Sequence, residues 1–275
     1  MAYSITTPVG LYYNVTGAGS PLCLIGGYRQ NSSAWPRPFI ARLAHRHTVI
    51  TFDNRGTGRS EKPTEGYAFA IQARDVIGLL DELRYPRAHL LGFSMGGAIA
   101  QEVVAAYPRR IDKLILFGTF CGGIWSVTAP WSVVRLLHLT EGLSPEAAAR
   151  HLWPVTYSPE HLATHAHTVE AQMRREIVHS TPAHVARKQM EALRAFDRYH
   201  DLSRIRSPTL VATGADDGLV MPQNSALMAR RIPGARLVRV PGLGHRAIWE
   251  APEEMADLIL DFLAGPGRRG AAGED

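Results

Sequence analysis

The chain has 275 residues, of which 45% are hydrophobic and 20% charged, a composition typical of a globular protein that can bury a large core. Its net charge of +5 comes from 30 basic and 25 acidic residues without a long Lys/Arg block, which argues against nucleic-acid binding. The N-terminus lacks a secretory signal pattern and no stretch approaches the roughly 20 apolar residues of a membrane span, so we expect a cytoplasmic protein with no membrane partner.

Short β-branched runs alternate with helical patterns along most of the chain, which is typical of a parallel β-sheet with helices on both faces. An antiparallel hairpin is predicted first, from residues 4–7 and 11–15. The strands predicted after it are 22–25, 48–52, 89–93, 113–118, 208–213 and 236–240. The helices predicted around them are 34–45, 68–83, 95–107, 223–231 and 252–263.

One region interrupts this alternation. Between about residues 120 and 198 the strand-like runs vanish and amphipathic helical stretches replace them. We interpret the region as a helical lid, which divides the chain into core residues 1–121, lid residues 122–200 and core residues 201–264. Residues 265–275 are rich in glycine and charge, a composition typical of a disordered tail.

The motif Gly92-Phe93-Ser94-Met95-Gly96 lies between a predicted apolar strand and a predicted helix. A Gly-x-Ser-x-Gly pattern alone can occur by chance, but its position between a strand and a helix makes it a specific signal. A nucleophile raised on a tight strand-to-helix turn needs small flanking residues to avoid backbone clashes. The turn also places Ser94 at a helix N-terminus, where unpaired N–H groups stabilise negative charge. We therefore predict that Ser94 is a nucleophile.

A serine hydroxyl is a poor nucleophile without an adjacent base. His245 follows the last predicted strand directly, so its loop reaches the same carboxyl edge of the sheet as Ser94. The imidazole in turn needs an acid to fix its tautomer and stabilise its charged form. Asp216 and Asp217 both follow the strand 208–213, and either could supply that carboxylate.

With these motifs in place, the sequence resembles the α/β-hydrolase fold family along nearly its whole length. The branch it resembles includes esterases, haloperoxidase-like enzymes and methyl esterases. The family order Ser…Asp…His is met by Ser94, Asp217 and His245, with Asp216 as the alternative acid. The resemblance implies an α/β-hydrolase fold, a mostly parallel central sheet flanked by helices and carrying the helical lid.

The resemblance also implies an oxyanion hole made of two backbone N–H groups. Met95, directly after the nucleophile, supplies one donor, and Tyr28 supplies the other. Family members usually carry a His-Gly pair before the second donor, and this chain has Gly26-Gly27 instead. The segment 53–60 resembles a family loop that is usually structural, so we assign it no catalytic role.

Tryptophans and histidines are concentrated in the predicted lid. Trp125 and Trp153 resemble lid residues that line an apolar pocket, and we predict that they contact substrate, with packing of the lid against the core as the alternative. His161, His165 and His167 are close in sequence, but no carboxylate or cysteine completes a convincing metal site. We therefore predict neither a metal nor a cofactor.

The sequence thus predicts a serine hydrolase that cleaves a small or medium carboxylic ester, methyl ester or lactone through an acyl-enzyme at Ser94. By resemblance, carbon–carbon bond hydrolases, cofactor-free perhydrolases and polyketide-tailoring cyclases use the same residues and remain alternatives. A non-catalytic small-molecule receptor on this fold is an alternative of another class, although such relatives often lose the base or the acid. The expected partner is a small-molecule substrate, and the oligomeric state stays open.

Overall fold

The computed structural model describes residues 2–4, 7, 9–140 and 142–265. These residues form one eight-stranded sheet in the order β1-β2-β4-β3-β5-β6-β7-β8. The strands are β1 (Ala2–Tyr3), β2 (Tyr12–Thr16), β3 (Ser20–Ile25), β4 (His47–Phe52), β5 (Ala88–Phe93), β6 (Ile111–Phe117), β7 (Thr209–Gly214) and β8 (Arg236–Val240). The pairs β1–β2 and β2–β4 are antiparallel, and every other pair is parallel.

Helices cover both faces of the sheet. The described helices are α1 (Arg37–Ala44), α2 (Phe69–Glu82), α3 (Met95–Ala106), α4 (Trp131–Leu139), α5 (Pro145–Thr156), α6 (Pro159–Ile177), α7 (Ala183–Ala195), α8 (Pro222–Arg231), α9 (Ala247–Glu250) and α10 (Pro252–Ala264). The core on one face contains residues of α2, α3 and α8, and the core on the other contains residues of α1, α9 and α10. The predicted mostly parallel sheet flanked by helices is confirmed.

The central strands are mostly apolar because both of their faces are covered. In β3, for example, Leu22 and Leu24 pack on the α1 and α10 side, whereas Cys23 and Ile25 pack on the α2 and α3 side. This division follows the alternation of side chains across a strand. It explains why these strands are continuous apolar runs in the sequence.

Two predicted elements near the N-terminus differ from the structure. The first hairpin strand pairs through Ala2–Tyr3 rather than through 4–7, of which residues 5 and 6 lie outside the described residues. The helix predicted at 34–45 begins at Arg37. Trp35 has an extended backbone because it precedes Pro36, and the proline ring disfavours helical geometry at the residue before it.

Four helices, α4 to α7, separate β6 from β7 and fall within the residues predicted for the lid. Serine side chains cap two of them: Ser144 accepts from the N–H of Ala147 at α5, and Ser158 accepts from the N–H of His161 at α6. No helix in the described ranges is long and apolar enough to cross a membrane. Residues 266–275, most of the predicted tail, lie outside the described residues.

The parallel strands bring four loops to the same edge of the sheet. β3, β5, β7 and β8 run parallel to one another, so their carboxyl ends lie together. The loop after β3 carries Tyr28, the turn after β5 carries Ser94, the loop after β7 carries Asp217, and the loop after β8 carries His245. This edge is where open α/β sheets build their sites.

Candidate active site

Ser94 lies on a strained turn between β5 and α3. Its backbone has φ 53° and ψ −121°, a left-handed region that non-glycine residues rarely adopt. A Cβ on Gly96 would lie 2.1 Å from the carbonyl oxygen of Ile25, and one on Gly92 would lie 2.4 Å from the carbonyl oxygen of Gly96. The turn is therefore possible only with glycine at both positions, which is the pattern that the sequence shows.

Ser94, His245 and Asp217 form one hydrogen-bonded chain. His245 Nε2 lies 3.2 Å from Ser94 Oγ, and His245 Nδ1 lies 2.7 Å from Asp217 Oδ2. Asp217 is 2% exposed and His245 is 4% exposed, so the acid–base contact is shielded from water. The three residues come from three different loops, and the tertiary structure brings them together.

Backbone groups orient the Asp217 carboxylate. Its Oδ1 accepts hydrogen bonds from the N–H groups of Leu219 at 2.9 Å and Val220 at 2.7 Å, which leaves Oδ2 for the imidazole. The neighbouring Asp216, the alternative acid, is exposed, and its N–H donates to the carbonyl oxygen of Leu243. Of the two aspartates, the structure places Asp217 in contact with His245.

A carboxylate that the sequence analysis missed, Glu250, holds the His245 loop. Its Oε1 accepts from the N–H of Gly244 at 2.9 Å, and Oε2 accepts from the Ser158 hydroxyl at 2.5 Å. Glu250 therefore links the residue before His245 to the N-terminus of α6. Its position in α9, five residues after His245, was the only sequence signal available.

The residues of the two predicted oxyanion donors, Tyr28 and Met95, lie near Ser94. Met95 is the first residue of α3, so its N–H has no acceptor within the helix. Tyr28 lines the same cavity as Ser94, and its neighbour Gly27 is so close that a Cβ there would lie 3.2 Å from Ser94 Cβ. The structure thus places the backbone of the 26–28 segment against the nucleophile.

The segment 53–60 supports this loop, although it has no predicted catalytic role. Asn54 Nδ2 donates to the carbonyl oxygen of Gly26 at 3.0 Å, so an asparagine holds the loop that lacks the family's usual histidine. Asp53 accepts from the N–H groups of Ser32 and Arg59. These bonds explain how the loop keeps its shape.

The cavity next to Ser94 is lined partly by the core loops and partly by α5 and α6. Its volume is about 170 Å³. The core contributes Gly27, Tyr28, Arg29, Gln30, Phe93, Ser94, Leu219, His245 and Arg246, and the inserted region contributes Leu137, Pro145, Ala148, Ala149, Leu152, Trp153, Thr156, Tyr157, Met173, Glu176, Ile177, Ser180 and Thr181. The wall formed by the inserted region is mostly apolar.

The two tryptophans predicted to contact substrate lie in different places. Trp153 lines the cavity. Trp125 is absent from the lining; it is 45% exposed and stacks on Tyr199 with ring centroids 4.5 Å apart. Trp125 precedes α4 and packs on the segment that leads back to the core, which corresponds to the packing role given as the alternative in the sequence analysis.

One charged pair lies at the wall of the cavity. Arg246 makes a two-pronged ion pair with Glu176 of α6, at 2.7 and 2.9 Å, and donates to the Tyr157 hydroxyl at 3.2 Å. Burial lowers the pKa of Arg246, but Glu176 and Tyr157 together raise it by more, so the net pKa lies above its usual range. Arg246, the residue after His245, therefore stays charged and links the His245 loop to α6.

The described histidine side chains of the inserted region do not form a metal-ligand set. His161 and His165 stack with ring centroids 4.6 Å apart, and His161 also stacks on Tyr157 at 5.6 Å. Over the described ranges, no group of three or more His, Cys, Asp or Glu residues is arranged to hold a metal ion. The His161 ring is thus engaged with its aromatic neighbours.

The fold and the Ser-His-Asp arrangement define a class of protein, and the comparisons agree with it. The chain belongs to the alpha/beta hydrolase fold family, whose model matches residues 20–252. It is 31% identical over 262 residues to the "Putative carbamate hydrolase RutD" of Azorhizobium caulinodans, covering 95% of this chain and 98% of that protein.

Solved structures are similar over the same length. The enol-lactonase from Burkholderia xenovorans has 26% identity and a TM-score of 0.84, with 95% of this chain and 99% of that chain covered. A thermophilic esterase from Thermogutta terrifontis has 26% identity and a TM-score of 0.82, with 95% and 97% covered. The protein is an enzyme, an α/β-fold hydrolase.

Proposed function

We propose that the protein is a serine hydrolase that cleaves a small or medium carboxylic ester, methyl ester or lactone through an acyl-enzyme at Ser94. The observation that carries this proposal is the hydrogen-bonded chain from Ser94 Oγ through His245 to Asp217. The hydrogen bonds join a nucleophile to its base and the base to the group that orients it. This is the arrangement required for acyl transfer.

Asp217 and His245 prepare the nucleophile. Nδ1–H of His245 donates to Asp217 Oδ2, so the lone pair on Nε2 faces the Ser94 hydroxyl. As Oγ forms a bond to the substrate carbonyl carbon, its proton passes to Nε2. Asp217 stabilises the imidazolium formed in this step without taking the proton itself.

The tetrahedral intermediate carries negative charge on the former carbonyl oxygen. We assign the N–H groups of Tyr28 and Met95 as its donors, because the Tyr28 loop lies against Ser94 and Met95 begins α3. Such preorganised donors typically contribute about 10²–10³ to kcat each. The helix N-terminus adds favourable electrostatics at the same place.

The intermediate then collapses to the acyl-enzyme. The proton on Nε2 passes to the oxygen of the leaving alcohol as the carbon–oxygen bond breaks. A water molecule next gives a proton to Nε2 and attacks the acyl carbon, and the same proton finally returns to Ser94 Oγ. The products are the alcohol and the carboxylic acid, or one hydroxy acid if the substrate is a lactone.

The size and lining of the cavity support a small or medium substrate. Its volume of about 170 Å³ is near that of an apolar protein cavity of ~150 Å³ that holds benzene. Trp153, Leu152 and Met173 present apolar surface to it, which suits the hydrocarbon part of an acyl group. Similar proteins described as an enol-lactonase and an esterase support a lactone or ester substrate.

A carbamate is the second candidate substrate. The proteins named as carbamate hydrolases match over nearly the full length of both chains. A carbamate carbonyl can be attacked by Ser94 in the same geometry, so it belongs in the substrate panel with esters and lactones. Carbon–carbon hydrolysis, perhydrolysis, cyclisation and a non-catalytic receptor are the remaining alternatives.

A fluorophosphonate probe tests the proposal directly. It reacts with an activated serine, so mass spectrometry of the labelled protein should locate the adduct on Ser94. Ser94→Ala should abolish both labelling and ester turnover, with a loss in kcat of up to about 10⁶, as for a nucleophile of a serine protease. Its melting temperature should barely change, because the substitution leaves no cavity.

Ser180 provides the matched control. It lines the same cavity, but in the described structure it is not hydrogen-bonded to a histidine that is in turn held by an aspartate. Ser180→Ala should keep the labelling. Ester turnover that persists in Ser94→Ala, or a probe adduct on a different serine, would refute the proposal. Labelling without turnover of any ester, lactone or carbamate would favour one of the alternative reactions.

A further inference from the structure

Two arginines line the cavity, and they differ in their partners. The Arg246 guanidinium is neutralised by Glu176 through two hydrogen bonds. Within the described part of the chain, the guanidinium of Arg29 has no carboxylate or other hydrogen-bond partner, although Arg29 also lines the cavity. The cavity therefore contains one compensated cation and one cation that remains available to a ligand.

The backbone of Arg29 is held in place by the lid. Its φ of 59° is uncommon for a residue with a Cβ. The Arg29 N–H donates to Gln189 Oε1 of α7 at 3.1 Å, and its carbonyl oxygen accepts from the Thr181 hydroxyl at 3.0 Å. Gln189 and Thr181 are both buried. These contacts fix the base of the Arg29 side chain beside Tyr28, at the edge of the proposed oxyanion hole.

The next residue provides an independent observation. Gln30 also lines the cavity and is 9% exposed. Its Oε1 accepts from the N–H of Gly27 at 2.9 Å, which fixes the orientation of the amide. Its Nε2 is buried and has no acceptor in the described structure. A buried amide donor without a partner is costly unless a ligand supplies the acceptor.

We infer that the substrate carries a carboxylate a few bonds from its scissile carbonyl, and that Arg29 binds this carboxylate with help from the Gln30 amide. The inference rests on the proposed function and narrows its substrate class to short anionic esters or lactones. A guanidinium fork matches a carboxylate in two parallel hydrogen bonds. Arg29 follows the proposed oxyanion donor Tyr28 directly, which keeps the carboxylate near the reacting carbonyl.

The turnover test uses pairs of esters that have nearly the same shape. Monomethyl succinate carries the carboxylate on the acyl side, and methyl 4-methylpentanoate has an isopropyl group in its place. Acetoxyacetate carries the carboxylate on the alcohol side, and isobutyl acetate is its neutral counterpart. The wild-type enzyme should have the higher kcat/KM for the anionic member of at least one pair, and that pair identifies the side on which the carboxylate lies.

Arg29→Met removes the charge and keeps a long side chain. The ratio of kcat/KM for the anionic ester to that for the neutral ester should fall about 10- to 100-fold, the size expected for a hydrogen bond to a charged group. Arg29→Lys should recover part of the ratio, because it restores the charge without the fork. A purely structural role for Arg29 would lower turnover of both esters and leave the ratio unchanged.

Arg84 is the matched control. It has the same φ of 59° and is exposed, and it precedes β5, at the opposite edge of the sheet from Ser94. Arg84→Met should therefore keep the wild-type ratio. If Arg84→Met and Arg29→Met change the ratio equally, or if the wild-type enzyme prefers the neutral member of both pairs, the inference is overturned.

A binding experiment separates this inference from the proposed function. Monomethyl succinate and acetoxyacetate are titrated into Ser94→Ala protein by calorimetry, with and without Arg29→Met. At least one should bind, about 10- to 100-fold more weakly when Arg29 is replaced. If wild-type protein hydrolyses no ester yet this difference is present, the carboxylate site stands and the proposed hydrolysis fails. If wild-type protein hydrolyses neutral esters and the difference is absent, the hydrolysis stands and the carboxylate site fails.

Discussion

Backbone geometry positions the core side of the cavity, whereas side-chain packing and a few polar contacts position the lid side. On the core side, Ser94 takes a left-handed backbone conformation that Gly92 and Gly96 make possible. Asp217 is oriented by two backbone N–H groups. The orientations of Ser94 and Asp217 therefore depend on main-chain atoms, and no neighbouring side chain could take the place of those atoms.

The lid side has a different construction. α6 is linked to the core through the ion pair of Glu176 with Arg246 and the contacts of Ser158 with Glu250. Apolar residues around the lid face solvent: Ile124 is 92% exposed and Trp131 is 72% exposed. Buried polar contacts reinforce these links: Gln172 of α6 donates to the carbonyl oxygen of Ala34, and Gln189 of α7 accepts from the N–H of Arg29. We therefore expect the core to determine the reaction and the inserted helices, which line much of the cavity, to select the substrate.

The largest expected effect concerns the acid on the core side. Asp217→Asn should lower kcat by about 10⁴, because an amide in this position favours the wrong imidazole tautomer, as in a related triad. Steady-state kinetics on the best ester of the panel measures the loss. Asp216→Asn is the matched control and should keep kcat nearly unchanged, since Asp216 is exposed and contacts His245 through no hydrogen bond in the described structure. A larger loss in Asp216→Asn would reverse the assignment.

The second prediction tests the attachment of the lid. Glu176→Gln removes the negative charge opposite Arg246, and the free energy of unfolding should fall by about 1.5–3 kcal/mol, the range for hydrogen bonds to charged groups. Hydrogen exchange should become faster in α6. The same substitution at Glu170 of α6 is the control, because Glu170 pairs with the exposed side chains of Arg150 and Arg174 and should contribute below about 1 kcal/mol. Equal effects would mean that α6 is held by other contacts.

The third prediction separates the two tryptophans of the lid. Trp153→Ala should change the ratio of kcat/KM between short and long acyl esters by about 10-fold or more, since an apolar pocket wall contributes ~1–3 kcal/mol of discrimination. Trp125→Ala should leave this ratio unaltered, because Trp125 stacks on Tyr199 outside the cavity. A change in selectivity for Trp125→Ala alone would show that the segment before α4 reaches the bound substrate.

The smallest expected effect is a pH dependence of core stability, far from the lid. Burial lowers the pKa of His89 in β5 from 6.5 to about 4, with Asp112 opposing the shift and His47 adding to it. Between about pH 4 and pH 6.5, His89 is therefore protonated in the unfolded chain and neutral in the folded chain. The free energy of unfolding should fall as the pH drops from about 6.5 toward 4.

Urea unfolding at about pH 7 and about pH 5 measures this loss. His89→Leu should reduce the difference between the two pH values, whereas His45→Leu, which replaces an exposed histidine, should preserve it. The Ser94 site lies at the opposite edge of the sheet from the start of β5, so these variants should keep the substrate selectivity. A pH difference that is identical in His89→Leu and the wild-type protein would contradict the prediction.

The alternation of apolar strands and helices was sufficient to predict the sheet, because strands covered on both faces are nearly continuous apolar runs. The Gly92–Gly96 motif located the strained turn for a similar reason, since only glycines fit there. Local sequence was less informative near the N-terminus. There β1 pairs through Ala2–Tyr3, because strand pairing depends on the partner strand as well as on the segment itself.

Sequence alone determined which residues could carry the chemistry, since Ser94 and His245 are recognisable from their strand-and-turn contexts. The family resemblance favoured Asp217 over the adjacent Asp216, and only the tertiary structure shows the direction of each side chain, with Asp217 in hydrogen-bond contact with His245. It also placed Trp153 in the cavity and Trp125 outside it. Arg29 and Arg246 cannot be distinguished by charge in the sequence. In the described structure the Arg246 guanidinium is paired with Glu176, whereas the Arg29 guanidinium has no partner, because folding brings Glu176 to Arg246 alone.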